Sequence, residues 1–453
     1  MAAAAATTDE VTLITTDHWL RCWFTQLILP TSRYAHAQIE FVDIAEGSVD
    51  GNIEKVCEAI NRRPGAAIFA CTDSAMEVYS AAVEIMAKAP KEKVVGAAAA
   101  ERTGNWRGCS FLSYFLASNK LACRKLVAGC DDLAFEVVMA NDRTLPNIGT
   151  EGFFKPLAEC GSKGVIKYSG SVETPNPLFE GDDASAAFGS SAVCSLVSDP
   201  TLVNIAADYE ELTPYVDPRI VGLVETYVSP VNQRRVVVSI DGFVRHGKVV
   251  YFCISDNVYD VDCPEKFDRL VTPTQRLTAD EIAACWAKYD IVISDLVRSG
   301  LDNQFVDLEA FVLVSADRAL AVKTMEINCR PFANQLPMFS RLFGGEHGKG
   351  CVVSAAINML LGKSPPIDDD FAKLAVVPAD KKKRKLDEAK VGVCAYMDLI
   401  PGCPILVESE DHAAAYYGVE GFQAQVYVVG EHGEDAARKR CSDFHEELRA
   451  RYA

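Results

Sequence analysis

Residues Met325-Glu326-Ile327-Asn328-Cys329-Arg330-Pro331 place a carboxylate, a carboxamide and a guanidinium at alternate positions. The run before them, Leu320 to Thr324, alternates apolar residues and reads as a strand. Alternate side chains of an extended chain share a face, so Glu326, Asn328 and Arg330 point one way, two oxygen ligands beside one cation. That face suits a hard divalent ion carrying a polyphosphate, because Mg²⁺ takes few protein oxygens and keeps waters and phosphate oxygens. Taken alone, the stretch reads equally well as a polar strand end with a surface arginine.

The segment upstream adds a second carboxylate. Phe305 to Val312 reads as a strand with alternating acids, and a turn near Ser315-Ala316-Asp317 returns it antiparallel into the 325–331 stretch. Reflection about that turn brings Glu309, or Asp307, opposite Glu326. Carboxylates facing across a hairpin repel unless a cation sits between them. Glu309, Glu326 and Asn328 therefore form a candidate metal-ligand set. Glu309 is preferred as the residue nearer the turn, with Asp307 the open alternative.

The elements that must position these groups follow from composition and patterning. The 453 residues are 49% apolar and 24% charged, ordinary for a globular protein, and the length asks for about two to four domains or subdomains. A net charge of −18 argues against a nucleic-acid-binding or anionic-membrane surface. No apolar run reaches membrane-spanning length, and the alanine-rich start lacks a basic region before Asp9-Glu10; both point to a cytoplasmic protein. The 16 cysteines are scattered, with no CxxC pair, and read as reduced thiols.

Residues 1–10 read as a disordered tail. From 11 to 118, strands at Val11–Ile14, Gln38–Ile44, Ala66–Cys71 and Lys93–Gly96 alternate with helices over Asn52–Arg62 and from the Thr72-Asp73-Ser74 cap to Met86. That order predicts a parallel α/β layer, without a GxGxxG fingerprint. Asn119 to Val127 reads as a basic helix. Phe153 to Pro156 and Val165 to Tyr168 are strands joined by Cys160-Gly161-Ser162-Lys163-Gly164, a hairpin flap whose N–H groups and Ser162 could close over phosphates. An ordinary β-hairpin explains that flap as well. Ile220 to Val228 is an apolar strand. Val236–Ile240 and Lys248–Ile254 follow as a meander, with Asp241-Gly242 and His246-Gly247 as its turns. Thr278 and Glu281 form a capping box on a helix over Ala279–Val297. A helix from near Gly350 closes the central unit, and residues 363–390 read as a linker carrying the Lys381–Lys385 basic run. Residues 391–453 read as a small α+β domain, with strands at Val391–Met397, Ile405–Glu408 and Ala424–Val429 and a helix from Glu434 to Ala450.

Lys120, Lys155-Pro156 with Gly161-Ser162-Lys163-Gly164-Val165, the Val224-Glu225-Thr226-Tyr227-Val228 strand and the Glu309…Glu326-Ile327-Asn328-x-Arg330 hairpin occur in the order seen in ATP-grasp enzymes. The pattern resembles that superfamily's carboxylate–amine ligases over residues 118–362. The resemblance implies an α/β and α+β multidomain chain. Its parts are an N-terminal parallel α/β domain at 11–118, an ATP-grasp central unit of two α+β subdomains at 119–362, and a small C-terminal α+β domain. It implies that Lys120 and Lys155 hold ATP phosphates and that Ser162 and Gly164 belong to the covering flap. Glu225 would accept from the adenine amino group, and Val228 supplies the hinge backbone. Glu309, Glu326 and Asn328 would ligate Mg²⁺, with Mn²⁺ the alternative ion, and Arg330 would steady the transferred phosphoryl group and the acyl phosphate.

This chain also departs from the pattern. Asn232-Gln233 stand where an acid on the ribose is expected, and either can hydrogen-bond a hydroxyl. Cys329 stands where proline is frequent, and Phe332-Ala333-Asn334-Gln335 replaces a Gly-rich step. The expectation is an ATP-dependent ligase that activates a small carboxylic acid as an acyl phosphate and joins it to an amine, an amino acid being favoured. Its partners would be those two small molecules, neither nucleic acid nor membrane, and the fold admits a homodimer. A carboxylase or acid–thiol ligase on the same ATP site, and a non-catalytic nucleotide-binding protein, are the alternatives.

Overall fold

The computed structural model describes residues 10–15, 21, 24–25, 37–44, 49–63, 66–70, 72–88, 108–148, 151–157, 165–169, 173–176, 199–259, 267–330, 338–339, 342, 390–404, 406–410, 414–418 and 424–452. The Lys93–Gly96 strand, the flap loop, the helix expected from near Gly350 and the Lys381–Lys385 run lie outside them.

The N-terminal unit is a parallel sheet. Strand β1 (Glu10–Thr15) is flanked by β2 (Gln38–Asp43) and, after helix α1 (Val49–Arg62), by β3 (Ala67–Ala70). Helix α1 buries Ile53, Val56, Ala59 and Ile60 along one face, the 3.6-residue period of a helix packed on a sheet. Helix α2 (Asp73–Lys88) starts where Thr72 Oγ1 accepts from the Ala75 N–H at 3.2 Å, an N-cap directly after the end of β3. A short strand β4 (Gly108–Cys109) leads to two helices where one was expected. These are α3 (Phe111–Ser118), capped by Ser110, and α4 (Lys120–Leu126), capped by Asn119. Asn119 closes the first helix with its backbone N–H and caps the second with its side chain, and the residue is fully buried.

A four-stranded antiparallel sheet follows, built from β5 (Phe135–Met139), β6 (Glu151–Pro156), β7 (Ile166–Ser169) and, beyond helix α5 (Pro200–Ala207), β8 (Ile220–Thr226). Its order is β5-β8-β6-β7. The β6–β7 hairpin expected on either side of the flap is therefore formed.

The largest sheet has nine strands. Strand β9 (Gln233–Arg245) turns through His246-Gly247, both at positive φ, into β10 (Lys248–Tyr259), and β11 (Phe267–Thr272) pairs with β10. Asp241-Gly242 is not a turn: β9 runs straight through it. Glycine is needed there for packing, since a Cβ at 242 would lie 2.6 Å from Tyr289 Oη and 2.8 Å from Val250 O. Helix α6 (Ala279–Arg298) carries the expected Thr278–Glu281 capping box and packs Cys285, Tyr289, Val292 and Leu296 against this sheet. After β12 (Leu301–Asp302), which pairs with β4, come β13 (Gln304–Ser315) and β14 (Leu320–Asn328), closed by a turn with Arg318 at φ 66°.

The C-terminal strands do not form a sheet of their own. β15 (Lys390–Met397) pairs with β11, and β18 (Ala424–His432), β17 (Ala414–Tyr417) and β16 (Leu406–Glu408) continue outward, giving the order β14-β13-β9-β10-β11-β15-β18-β17-β16. Strand β17 was not expected; its Ala-Ala-Tyr-Tyr run is buried throughout, so it shows no alternation to read. Helix α7 (Glu434–Tyr452) covers this end, with Cys441, Phe444 and Leu448 in a separate apolar cluster.

Candidate functional site

Five elements aim polar groups at one cleft. Strands β13 and β14 form one wall, β6 and β8 the other, and α4 bridges them. The β13–β14 register sets Glu309 opposite Glu326 and Asp307 opposite Asn328. Glu309, not Asp307, thus faces Glu326. A register irregularity directly after Glu309 marks the point where the ladder changes step beside the acids.

Burial first, and the charge of Glu326 second, push the Glu309 carboxyl up to about 8; the charges of Arg330 and Lys155 act the other way. Those influences put all four side chains in one field. Lys120 Nζ stands 3.9 Å from Glu326 Oε1, an ion pair too long for a hydrogen bond. Burial, then the charges of Glu309 and Glu326, also raise the Tyr259 hydroxyl, which places that ring at the same edge.

Asp307 has a different place. It is fully buried and accepts from Asn328 Nδ2 at 2.9 Å, which turns the Asn328 carboxamide oxygen toward Arg330 Nη2, 3.3 Å away. Across β9 it faces Asp241, also fully buried. Burial pushes both carboxyls well above their ordinary range, and each keeps one oxygen without a hydrogen-bond partner among the described residues.

On the opposite wall Glu225 is held by two cations. Arg124 Nε donates to its Oε1 at 2.8 Å and Lys155 Nζ lies 2.6 Å from its Oε2. Burial alone would raise this carboxyl, but the charges of Lys155 and Arg124 hold it down to about 2. Arg124 also donates to the carbonyl of Met325 at 2.8 Å and to that of Cys130 at 3.3 Å. One buried guanidinium therefore joins β8 to the residue immediately before Glu326.

Beyond Glu225, the Tyr227 ring sits between two cations, Lys167 Nζ at 5.1 Å and Arg235 Cζ at 5.4 Å from its centroid. Arg235 Nη1 donates to the Val228 carbonyl at 2.7 Å. Asn232 occupies the β8–β9 turn at φ 63°, a left-handed conformation asparagine tolerates. Ser162 and Gly164 lie outside the described residues.

Arg330 leaves β14 and forms a fork with Asp73 at the start of α2, Nε to Oδ1 at 2.7 Å and Nη2 to Oδ2 at 2.9 Å. The cleft thus draws a residue from the N-terminal unit.

Lys120, Lys155, Glu225, Glu309, Glu326, Asn328 and Arg330 are brought together; Val228 and Asn232 extend the same wall past Glu225. Sequence reasoning missed Arg124 and Asp73. Arg124 carried a signal, since it follows Lys120 by one helical turn and shares its face. Asp73 was read only as part of a helix cap, although the carboxyl end of a strand in an open α/β sheet is where ligands gather.

The donor set fits a hard cation at the Glu309–Glu326 pair, where two carboxylates oppose each other across the hairpin. It holds two carboxylates and a carboxamide; among the described residues no group of three or more His, Cys, Asp or Glu could hold a metal. No helix among them is long and apolar enough to cross a membrane.

No family model and no curated protein matches the chain by sequence. Solved structures match over nearly its whole length. An L-amino acid ligase from Bacillus licheniformis aligns with a TM-score of 0.58 and 11% identity, covering 98% of each chain. Phosphoribosylglycinamide synthetase from Anaerococcus prevotii aligns at 0.53 and 14% identity, over 97% of this chain and 98% of that one. A biotin carboxylase from Campylobacter jejuni aligns at 0.52 and 13% identity, over 94% and 89%.

Proposed function

This chain has the ATP-grasp fold shared by carboxylate–amine ligases and biotin carboxylases, and we propose that it is an ATP-dependent, ADP-forming ligase that makes a C–N bond. The observation that carries the reading is the register of Glu309 on Glu326, two acids held face to face beside Lys120 and Arg330.

In this reading Lys120 and Lys155 neutralise the polyphosphate, and Ser162 and Gly164 close over it. Glu225 accepts from the adenine amino group, the base meets the Val228 backbone, and Asn232 meets the ribose. Mg²⁺, or Mn²⁺, bound by Glu309, Glu326 and the Asn328 carboxamide oxygen would offset charge on the transferred phosphoryl group. Arg330 steadies the acid while its carboxylate oxygen attacks the γ-phosphorus of ATP. The bond from that phosphorus to the β,γ-bridging oxygen breaks, and ADP leaves. The amine nitrogen then attacks the acyl carbon, the carbon–oxygen bond to phosphate breaks, and the amine gives up a proton.

The test is a screen of small acids and amino acids in pairs with Mg-ATP, reading ADP, phosphate and product mass. An amide product with equimolar ADP and phosphate supports the ligase. Turnover that needs bicarbonate and no amine makes it a carboxylase. Tight Mg-ATP binding with no ADP from any pair makes it a nucleotide binder.

A further inference from the structure

The Arg330–Asp73 fork has a consequence for the acid substrate. The guanidinium proposed to steady that acid already holds a carboxylate in bidentate geometry, and the two side chains are only 16% and 29% exposed. The Asp73 backbone is anchored. Asp73 is the first residue of α2, its own carbonyl accepts from Tyr114 Oη at 3.0 Å, and Thr72 anchors the helix start. Its charge also reaches Glu309, so it borders the metal edge.

A simple anionic acid entering here meets a conflict. If it displaces Asp73 from Arg330, the Asp73 carboxylate is left beside it without its cation. If it shares Arg330, carboxylates crowd one guanidinium. Like charges at such separations repel strongly in a cleft of low dielectric. A substrate bringing its own cation next to its carboxylate removes the conflict. Its carboxylate takes Arg330, its ammonium takes Asp73, and every charge keeps an opposite neighbour. The substrate then exchanges one ion pair for two.

We propose that Asp73 is a specificity residue that binds an ammonium group, so that the acid activated at Arg330 is an α-amino acid, not a plain carboxylic acid. This rests on the ligase reading for the identity of the pocket and adds the charge pattern of its acid.

The test uses the full chain and matched pairs of acids: L-alanine with propionate, L-leucine with 4-methylpentanoate, L-phenylalanine with 3-phenylpropanoate. Affinities are measured by calorimetry with and without a non-hydrolysable Mg-ATP analogue, whose own binding is read first. At least one amino acid is expected to bind, with its partner lacking the amine at least about tenfold weaker, because a site built to pair a substrate N–H group rejects the analogue without it. Asp73→Asn should weaken the amino acid and tighten the plain acid, by releasing Arg330, so that the ratio collapses. Asp73→Glu should restore part of it. A merely structural role would weaken both ligands alike. The proposal is overturned if the pairs bind equally to the native protein, if no amino acid binds, or if Asp73→Asn leaves the ratio unchanged. Failure of the nucleotide analogue to bind would instead count against the ligase reading, and the acid ratio without nucleotide would still decide the role of Asp73.

Discussion

Replacing Arg124 by methionine should loosen both walls of the cleft at once. In the native protein Arg124 and Glu225 are each 3% exposed and 2.8 Å apart. Removing one partner of a buried pair costs about 3–5 kcal/mol, because the other charge stays buried. Lys155 remains at 2.6 Å from Glu225, which favours the lower end of that range. The carbonyls of Met325 and Cys130 lose a donor as well. The pull on Glu225 gives an independent scale: a fall from 4.5 to about 2, at about 1.4 kcal/mol per factor of ten, corresponds to about 3 kcal/mol from both cations less the cost of burial. Because the folded value is depressed, this contribution is complete above about 4.5 and is lost as pH falls toward about 2. The Arg124→Met cost should therefore be about 3 kcal/mol at neutral pH and shrink in acid. Urea unfolding of the full chain, with hydrogen exchange of the β8 amides as the local reading, measures it. The decisive arrangement is a cycle with Glu225→Gln, in which the double variant should recover about 2 kcal/mol relative to the sum of the singles. Costs that add within about 0.5 kcal/mol would refute the coupling.

Two further outcomes follow from the same cleft. Glu309 is pushed up to about 8, so its contribution to the metal-free protein is complete below about 4.5 and is lost as pH rises through about 8. Cation binding must release that proton: Mn²⁺ affinity, read by electron paramagnetic resonance, should rise about tenfold per pH unit toward 8 and then level, while Glu309→Gln flattens and weakens it. A flat profile in the native protein would remove Glu309 from the ligand set. Gly222→Ala on β8 would put a Cβ 2.5 Å from Phe154 Cε2 and 2.6 Å from the Lys155 carbonyl. Overpacking there should cost about 1–3 kcal/mol and weaken nucleotide binding through Lys155, so an unchanged melting temperature would contradict the described β6–β8 contact.

Much of the metal-edge geometry was legible because it is local. Period-two alternation placed Glu326, Asn328 and Arg330 on one face, and the turn at Ser315–Asp317 reflected Glu309 onto Glu326 within a single hairpin. The choice against Asp307 needed the actual register: without the one-residue shift after Glu309, Leu308 would stand opposite Glu326. Capping at Thr278 was equally readable, since its two hydrogen bonds close within four residues. Asp241-Gly242 misled because a glycine after an aspartate is a turn signal locally, whereas here it makes room for Tyr289 from α6.

By itself, then, the sequence determined the hairpin, the face shared by Glu326, Asn328 and Arg330, and the parallel N-terminal layer. Those follow from side-chain periodicity and turn chemistry, which act over a few residues. The tertiary structure decided which charges neutralise which. Arg124 meets Glu225 across 101 positions, and Asp73 meets Arg330 across 257. It also joined β15 to β11, running the C-terminal strands into the central sheet. Such pairings depend on how separate units pack, and buried charges find their partners only when that packing excludes water from both.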